Sequence, residues 1–348
     1  MKLGVIPESP IEQIALWAGL VPVPLLETHL AATLAQAITA GVRLGVFECL
    51  KDGPRTNLEI ADDCAVDDAA ATVLVGALTA CGYLSLSEGR YALAPQSRRW
   101  LLRDGPSSVR DKILLQTFEW DWLAGLEAFI RTGEPMDFHA AMSDEERDLY
   151  HRSMRALAGI GGREVGRRTP TPKGASLMLD LGGSHGHFAA QICRRHPGLN
   201  AHVLDLPDAI EKAAPLLAAE GMENRVIHVP GDAIEVDLGT ERYDLILMSN
   251  LAHHLDWQQN RALASRVARA LRRGGVFVIQ EPARPARPDQ GGQTGTLLGL
   301  YFALQSRPNV QTWTVREMAE WQKAAGLRPE RAIRLRTAPG WVQQVARR

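Results

Sequence analysis

The sequence lacks an excess of charge of either sign. Its 348 residues include 39 lysines and arginines against 40 aspartates and glutamates, so the formal net charge is -1. Proteins that bind a nucleic acid backbone or an anionic membrane through their overall charge carry a clear basic excess. We therefore expect neither a nucleic acid nor a membrane among the partners of this chain.

Long hydrophobic runs are also lacking. The most apolar early stretch, residues 25 to 47, is interrupted by Glu27, His29, Gln36 and Arg43. A membrane-spanning helix needs about 20 consecutive, mostly apolar residues. The N-terminus likewise has no clean apolar run ahead of a small-residue cleavage site, as a secretory signal would have. These absences predict a cytoplasmic protein.

Cysteine is scarce. The four cysteines, Cys49, Cys64, Cys81 and Cys193, are scattered, without CxxC spacing and without paired histidines nearby. Disulfide frameworks and zinc sites both depend on such clustering. We therefore expect neither a disulfide framework nor a metal site, and we interpret the cysteines as buried free thiols.

What the sequence does contain begins with an ordinary globular composition, 45% hydrophobic and 23% charged residues, at a length that suggests two domains. Apolar residues recur every four positions from Leu30 to Val46 and predict a long helix with one apolar face. Thr56 is placed to cap a second helix, and residues 68 to 81 predict a third. Two short alternating runs around Glu88-Gly89 predict a hairpin.

Three helices and a hairpin predict a mainly α winged-helix domain over residues 1–105. Two of its helix faces, at residues 30 to 38 and 74 to 78, carry more apolar side chains than so small a domain buries alone. They predict that the chain forms a homodimer through this domain.

The pattern changes twice after residue 105. Residues 106–170 are mainly helical and are expected to form a linker that contributes to a substrate pocket. Residues 171–348 alternate apolar strand-like runs with helical stretches, and the first such runs are Leu177–Leu181, Ala201–Leu206, Val226–Val229, Tyr243–Met248 and Val276–Gln280. This alternation predicts an α/β domain with a Rossmann-like, open parallel sheet.

A glycine-containing loop follows the first predicted strand of the α/β domain. It runs from Asp180 to Gly186 (DLGGSHG) and leads into a helix. Glycines permit a sharp turn and a close backbone approach to a ligand at the carboxyl ends of the strands. The dinucleotide fingerprint GxGxxG would require glycine at positions 184 and 187, where this chain has Ser184 and His187. The loop therefore argues against NAD as the ligand.

Acidic residues stand at the ends of the next two strands. Asp205 ends the second strand, where a carboxylate can accept hydrogen bonds from both ribose hydroxyls of an adenosine. Asp232 follows the third strand, where an acid can reach the edge of the adenine. Each acid alone is equally consistent with a helix cap or a turn. Together with the glycine loop they predict one crevice that binds an adenosine.

These motifs resemble those of a known family. Residues 179–186 (LDLGGSHG), 205–210 (DLPDAI) and 229–232 (VPGD) are similar to the successive cofactor motifs of the plant-type and bacterial small-molecule O-methyltransferases, the family of caffeate and hydroxyneurosporene methyltransferases. The similarity extends over nearly the whole chain. It implies a class I methyltransferase sheet domain, S-adenosyl-L-methionine as the cofactor, and dimerisation through the winged-helix domain.

The resemblance also implies a set of cofactor-binding residues. The set comprises Asp180, Gly182, Gly183, Gly186, Asp205, Leu206, Gly231, Asp232, Ala233 and Ser249. Two of them depart from the family pattern. Ser249 stands where plant members commonly have a lysine, and Ala233 replaces a larger apolar residue against the adenine.

Two adjacent histidines follow the fourth predicted strand. By the resemblance, His253 is the catalytic base, and His254 takes the place of an aspartate of plant members; we interpret His254 as a substrate or structural contact. Glu281 ends the next strand and is expected to hydrogen-bond His253 and fix its tautomer. Thr312 corresponds to a second flanking glutamate of plant members, so the histidine has at most one carboxylate to orient it.

Apolar side chains are expected to line the acceptor pocket, because small-molecule sites are mostly apolar. The candidates are Phe118, Trp120, Trp122, Met154, Tyr301, Phe302 and Trp313. The resemblance places Met154 against the substrate, and Trp120, Phe302, His254 and Thr312 complete the predicted substrate-binding set. Ordinary core packing accounts equally well for any one of them. A small hydroxylated aromatic or polyketide-like acceptor suits such a pocket.

Two alternatives stay open at this point. Related folds also methylate carbon or nitrogen, and some serve non-methylating chemistry. A winged helix is also found in DNA-binding regulators, although residues 67–79 contain two acids and no lysine or arginine, unlike a recognition helix. The sequence alone decides neither the identity of the acceptor nor the choice between His253 and His254 as the base.

Overall fold

The protein is represented by a computed structural model, which describes residues 4–136, 141–306 and 310–348. The chain forms two compact units, Lys2–Thr117 and Phe118–Arg348. Each unit has a hydrophobic core of its own. Within the described ranges, no helix is both long enough and apolar enough to cross a membrane.

The N-terminal unit contains several helices and a hairpin. The helices are α1 (Pro10–Trp17), α2 (Ala31–Arg43), α3 (Val46–Cys49), α4 (Asn57–Asp63), α5 (Asp68–Ala80) and α6 (Pro95–Trp100), and helical turns at Val23–Leu25 and Leu26–Leu30 precede α2. Strands β1 (Leu84–Ser87) and β2 (Arg90–Leu93) pair in antiparallel fashion around the predicted Glu88-Gly89 turn. The second and third predicted helices and the hairpin are thus confirmed.

The first predicted helix is shorter than its apolar pattern indicates. Gly45 has a φ of 84°, in the left-handed region that favours glycine, and it separates α2 from α3. The prediction that Thr56 caps α4 is confirmed, and Glu59 adds the reciprocal hydrogen bond. The Thr56 side chain accepts a hydrogen bond from the Glu59 amide, and the Glu59 carboxylate accepts one from the Thr56 amide.

The core of the N-terminal unit buries part of the helix face at residues 74 to 78, one of the two faces that were expected to contact a second chain. Val75 and Leu78 on α5 are fully buried against Val42 and Phe47. The prediction that this face is available to a second chain is therefore wrong, because the unit buries it internally. The face at Leu30 differs, since Leu30 itself is 55% exposed.

The cysteines are free, and they differ in burial. Cys193 is buried, Cys49 and Cys64 are half-buried, and Cys81 is exposed. The interpretation as buried thiols is therefore wrong for Cys81. In the part of the chain that the structure describes, no group of three or more histidine, cysteine or acidic side chains is placed to hold a metal ion.

The second unit begins with a helical region, which the sequence predicted. It contains the end of α7 (Arg110–Ala124), then α8 (Leu126–Thr132) and α9 (Asp144–Arg168). Glycines on α9 let it pack directly on α10 (His187–Arg195). A Cβ atom at Gly162 would lie 2.2 Å from His187 Nε2, and one at Gly166 would lie 2.7 Å from the Gln191 carbonyl oxygen. Substituting either glycine would therefore force the two helices apart.

One eight-stranded sheet forms the centre of the second unit. Its strands are β3 (Leu177–Leu181), β4 (Asn200–Asp205), β5 (Val226–Pro230), β6 (Tyr243–Ser249), β7 (Leu271–Pro282), β8 (Arg328–Pro329), β9 (Ile333–Arg334) and β10 (Trp341–Arg347). The order is β5-β4-β3-β6-β7-β10-β8, and β9 pairs with β10. Besides α10, the helices of this part are α11 (Pro207–Ala218), α12 (Trp257–Ala270), α13 (Gln293–Gln305) and α14 (Val315–Ala324).

The strands β5, β4, β3, β6 and β7 run parallel, as predicted, and β10 adds an antiparallel strand beside β7. Their register brings the carboxyl ends together at one edge of the sheet. Leu181 is opposite Leu204, Asp205 is opposite Pro230, and Ser249 is opposite Gln280. The loops that follow β3 to β7 therefore meet at this edge, where open parallel sheets bind their ligands.

Candidate functional site

The glycine loop after β3 depends on three of its glycines. Gly182 and Gly186 have φ values of 64° and 62°, in the left-handed region. A Cβ atom at Gly186 would lie 2.7 Å from Leu217 Cδ1, and one at Gly183 would lie 2.6 Å from Asp180 Cγ. The loop therefore needs glycine at 182 and 186 for the backbone conformation, and at 183 and 186 because a side chain would not fit. It leads directly into α10.

Asp205 joins the loop to the end of β4. Its Oδ2 accepts a hydrogen bond from the Ser184 amide at 2.7 Å, and its Oδ1 accepts one from the Leu206 amide at 2.8 Å. Each carboxylate oxygen has two lone pairs, so each keeps an acceptor position for a ligand. Burial raises the pKa of Asp205. The Leu206 side chain is 46% exposed beside it.

Asp180 lies beneath the loop. Its side chain is buried against Gly183, and among the described residues its carboxylate has no side-chain hydrogen-bond partner, while the backbone of Ala189 acts to lower its pKa. Burial, together with the nearby charge of Asp205, raises the pKa of Asp180 to about 7. A buried carboxyl group without a partner is costly, and a cationic hydrogen-bond donor bound nearby would reduce that cost.

The third strand end closes the same corner of the sheet. The Gly231 amide donates to the Asp205 carbonyl oxygen at 2.9 Å, which ties the loop after β5 to the end of β4. Asp232 Oδ1 accepts from the Ile234 amide at 2.8 Å, so this acid forms a turn. Ala233 packs against the core of the sheet. The structure thus brings the three predicted strand-end motifs together around Asp205.

Ser249 has a different environment from the other predicted cofactor residues. It is buried at the end of β6, and its hydroxyl oxygen accepts a hydrogen bond from Gln280 Nε2 at 2.9 Å. Gln343 Nε2 donates in turn to Gln280 Oε1 at 2.9 Å and to Thr169 Oγ1 at 2.8 Å. Ser249 therefore belongs to a buried polar network that crosses from β6 to β10, and no sequence pattern indicated that network.

His253 and Glu281 form a buried pair at the ends of β6 and β7. His253 Nδ1 donates to Glu281 Oε2 at 2.7 Å, and Glu281 Oε1 accepts from the Ala252 amide at 2.7 Å. Glu281 is fully buried and His253 is 4% exposed. Because a carboxylate only accepts, Nδ1 carries the proton and Nε2 of the neutral imidazole is left as an acceptor. The hydrogen bond predicted from the sequence is present, and its catalytic role stays a prediction.

Aromatic rings surround the imidazole. The Phe302 ring stacks on His253 with centroids 3.9 Å apart and an interplanar angle of 10°. The His254 ring lies 4.3 Å from His253 and is half-buried. Two of the predicted substrate-binding residues, Phe302 and His254, therefore contact the predicted base directly.

Thr312 and its neighbour are packed away from the imidazole. The Thr312 hydroxyl donates to the Gly295 carbonyl oxygen at 2.8 Å, and the residue is fully buried. Its proton is thus committed to the backbone of α13 and does not orient His253. Trp313 packs against Trp257 and Trp321 in the core, and its Nε1 donates to the Ala252 carbonyl oxygen at 2.9 Å. Trp313 therefore anchors the backbone at Ala252, the residue before His253.

The remaining candidates for the acceptor side lie on α7 and α9. Trp122 forms a small cluster with Phe118, Met136, Met142 and Tyr150. Trp120 on α7 and Met154 on α9 are half-buried. The structure gives neither Trp120 nor Met154 a ring or hydrogen-bond contact to His253, so their assignment to the acceptor rests on the resemblance.

A buried polar pair on this side was not predicted from the sequence. The Tyr301 hydroxyl donates to Glu119 Oε1 at 2.7 Å, and Glu119 is only 6% exposed. Burial, and the nearby Glu119 carboxylate, raise the pKa of Tyr301. Glu119 lies between Phe118 and Trp120 in the sequence, and an acid that is buried beside such rings needs a partner.

Comparison with known proteins identifies the family. Residues 126–328 match the family model described as an O-methyltransferase domain. The 3-hydroxy-5-methyl-1-naphthoate 3-O-methyltransferase of Streptomyces sahachiroi is 27% identical over 334 residues, which cover 91% of this chain and 93% of that protein. The N,N-dimethyltransferase OxyT of Streptomyces rimosus is 27% identical over 269 residues, which cover 74% and 77% of the two chains.

The fold is shared with solved structures. Human N-acetylserotonin methyltransferase, solved in complex with S-adenosylmethionine, superposes with a TM-score of 0.81 over 99% of both chains, at 18% identity. This likeness confirms the predicted fold class, an α/β class I methyltransferase sheet domain preceded by a helical region. Because the family model spans more than half of the sequence, the chain belongs to the O-methyltransferase family and is an S-adenosylmethionine-dependent methyltransferase.

Proposed function

We propose that this enzyme transfers a methyl group to a hydroxyl group of a small aromatic or polyketide-like metabolite, with His253 as the general base. The observation that carries the proposal is the 2.7 Å hydrogen bond between His253 Nδ1 and the fully buried Glu281. It holds the imidazole in the tautomer whose Nε2 accepts a proton.

The residues around Asp205 fit the cofactor. The two oxygens of Asp205 keep acceptor positions for the vicinal hydroxyls of a ribose, and we propose that Asp232, in the loop after β5, contacts the edge of the adenine. The buried carboxyl group of Asp180 has no side-chain partner in the described residues and suits the positively charged amino group of the methionine part. When bound, the cofactor supplies a methyl group attached to a cationic sulfur.

The base works through its position and its partner. Since a phenol has a pKa of about 10, it is a poor nucleophile until its proton leaves. Nε2 of His253 takes that proton, and the resulting imidazolium is stabilised by the carboxylate of Glu281 at the other nitrogen. The Ala252 amide fixes Glu281 in turn, so the pair needs little rearrangement during proton transfer.

The acceptor class follows from the neighbouring side chains. Phe302 and His254 lie against the imidazole, and we propose that Met154 and Trp120 extend an aromatic-binding wall. Thr312 is proposed to shape this wall through the backbone of α13 and to leave the acceptor to other side chains. The Streptomyces sahachiroi relative is named for a hydroxylated naphthoate, an acceptor of this kind.

A labelling experiment tests the proposed function. The purified protein is incubated with methyl-labelled S-adenosylmethionine and a panel of phenols, naphthols, quinols and polyketides. We expect label on a hydroxyl oxygen of at least one aromatic member. Label found only on carbon or nitrogen of the products would overturn the O-methylation proposal while leaving the enzyme class intact.

N-methylation is the second candidate, and one relative favours it. OxyT, which is 27% identical to this chain over 269 residues, is named as an N,N-dimethyltransferase. The position of the second flanking glutamate of plant members is here Thr312, whose hydroxyl bonds to the backbone. A neutral amine attacks through its lone pair and loses its proton only after methylation, whereas a phenol must lose its proton first. Turnover of an amine would therefore survive loss of His253 better than turnover of a phenol.

We also propose that the enzyme is a homodimer assembled through its N-terminal domain. We propose that this domain comprises residues 1–105. Helix α1 has no buried residue, and Ile11, Ile14 and Trp17 are 79%, 61% and 79% exposed. Ile6 and Leu20 beside it are 84% and 76% exposed. So many large apolar side chains in contact with water mark an interface. Intertwined, obligate interfaces usually exceed about 2,000 Å².

Light scattering at micromolar concentration should therefore give twice the mass of one chain. Ile14→Glu combined with Trp17→Glu should lower the dimer fraction, because each change places a charge on the apolar surface of α1. Asp52→Lys, a reversal of charge at an exposed position in the same unit, serves as the control and should leave the mass unchanged. A monomeric wild-type protein would contradict the proposal.

A further inference from the structure

Ser184, in the middle of the glycine loop, is held in an unusual backbone conformation. Its φ is 42°, in the left-handed region that residues with a side chain rarely adopt. Gly182 and Gly186, two residues away on either side, adopt φ values of 64° and 62° without strain, whereas Ser184 has a Cβ atom to accommodate. Such strain persists only where surrounding contacts enforce it.

Three contacts enforce it, and each comes from a different element. The Ser184 amide donates to Asp205 Oδ2 at 2.7 Å at the end of β4. The Ser184 carbonyl oxygen accepts from His228 Nε2 at 2.7 Å, on β5. The Ser184 hydroxyl is hydrogen-bonded to His151 Nδ1 at 3.0 Å, on α9. Every polar group of this residue is thereby bonded.

The helix that supplies His151 is itself firmly fixed to the start of α10. Arg155, one turn after His151, bonds to Glu220 Oε1 through Nε at 2.8 Å and through Nη2 at 2.7 Å. The same Glu220 oxygen accepts from His187 Nδ1 at 2.7 Å. His187 is the first residue of α10 and packs against Gly162 of α9. The contacts of α9 with Glu220 and with His187 therefore fix the position of His151 relative to the loop.

We propose that His151 is a positioning residue for the methyl donor, acting through the Ser184 hydroxyl to hold the glycine loop in its cofactor-binding shape. The inference rests on the proposed role of this loop and of Asp205 in binding the cofactor. Ser184 and the cofactor share the Asp205 carboxylate, since one of its oxygens accepts the Ser184 amide. A shift of Ser184 would therefore turn Asp205 away from the ribose hydroxyls. A loop ordered before binding avoids the entropy cost of ordering it on binding.

His151 also links the two halves of the site. Met154, the predicted acceptor contact, lies three residues further along α9, on the side of the helix that His151 shares by helical periodicity. One helix thus carries a contact for the donor loop and a contact for the acceptor. Fixing α9 against Ser184 sets the distance between the two binding regions, and methyl transfer is sensitive to that distance.

Calorimetry with S-adenosylhomocysteine tests the proposal without requiring turnover. His151→Ala and Ser184→Ala are each expected to raise the Kd by roughly 3- to 10-fold, the range for losing one hydrogen bond. The double variant should bind no more weakly than the weaker of the two, because both changes remove the same bond. Arg163→Ala, an exposed position on α9, is the matched control and should bind like the wild type.

The outcomes separate this inference from the proposed function. If wild-type protein does not bind S-adenosylhomocysteine, the assignment of the loop fails. If the wild type binds and both single variants match it, or if their effects simply add, then His151 does not act through Ser184. A lower Tm with an unchanged Kd likewise reduces His151 to a structural role. Should Ser184→Ala not fold, Ser184→Gly tolerates the left-handed backbone and gives the same test.

Discussion

Replacing His253 with alanine is expected to lower kcat by roughly 10²- to 10⁴-fold, the range for loss of a positioned general base. The affinity for S-adenosylhomocysteine should remain almost unchanged, because His253 lies at the ends of β6 and β7 whereas Asp205, the proposed ribose contact, ends β4. Steady-state kinetics with a phenolic acceptor, combined with calorimetry, measures both quantities on one protein preparation.

Two companion variants show which part of the pair matters. Glu281→Gln should cost less than His253→Ala, because the one amide oxygen of glutamine can still accept from His253, although its NH2 group cannot replace the oxygen that accepts from the Ala252 amide. His254→Ala should keep kcat within about threefold of wild type, far less than loss of a base produces. If His254→Ala is crippled and His253→Ala is active, the adjacent histidines have been assigned in the wrong order. If neither variant is slow, the enzyme works by alignment alone.

Features set by neighbouring residues were the ones that the sequence predicted well. The capping box of Thr56 and Glu59 involves residues three positions apart, and the Glu88-Gly89 turn fixes its own hairpin. The strands and the glycine loop were found for the same reason, since apolar runs and glycine positions are local signals. The His253–Glu281 contact was accessible as well, because parallel strands that neighbour each other end at one edge.

Features that depend on how distant segments meet were missed. The burial of Val75 and Leu78 required knowing that α2 and α3 cover them. The hydrogen bond from Thr312 to Gly295 required the packing of α13. The bonds of Ser184 to His151 and His228 join segments 33 and 44 residues away, and no pattern relates them. A histidine in a helix has no local signal that distinguishes a loop support from a core residue.

Asp205→Ala is expected to weaken binding of S-adenosylhomocysteine by about 1.5–3 kcal/mol, the cost of losing hydrogen bonds to a charged group. This corresponds to roughly a ten- to hundredfold increase in Kd. The variant removes both acceptor positions for the ribose, and it also leaves the amides of Ser184 and Leu206 without their carboxylate. The effect should therefore exceed that of any single change at Ser184 or His151.

Glu211→Ala is the matched control, because this carboxylate is exposed on α11 and lies outside the motif of residues 205–210. It should bind S-adenosylhomocysteine like the wild type. NAD should give no heat of binding with either protein, since Ser184 and His187 occupy the positions where the dinucleotide fingerprint requires glycine. A folded Asp205→Ala variant whose Kd stays within about threefold of wild type, well below the loss of a charge-assisted hydrogen bond, would show that the ribose is held elsewhere. The three strand-end motifs would then meet around Asp205 for a structural reason, and the cofactor crevice would have to be assigned anew.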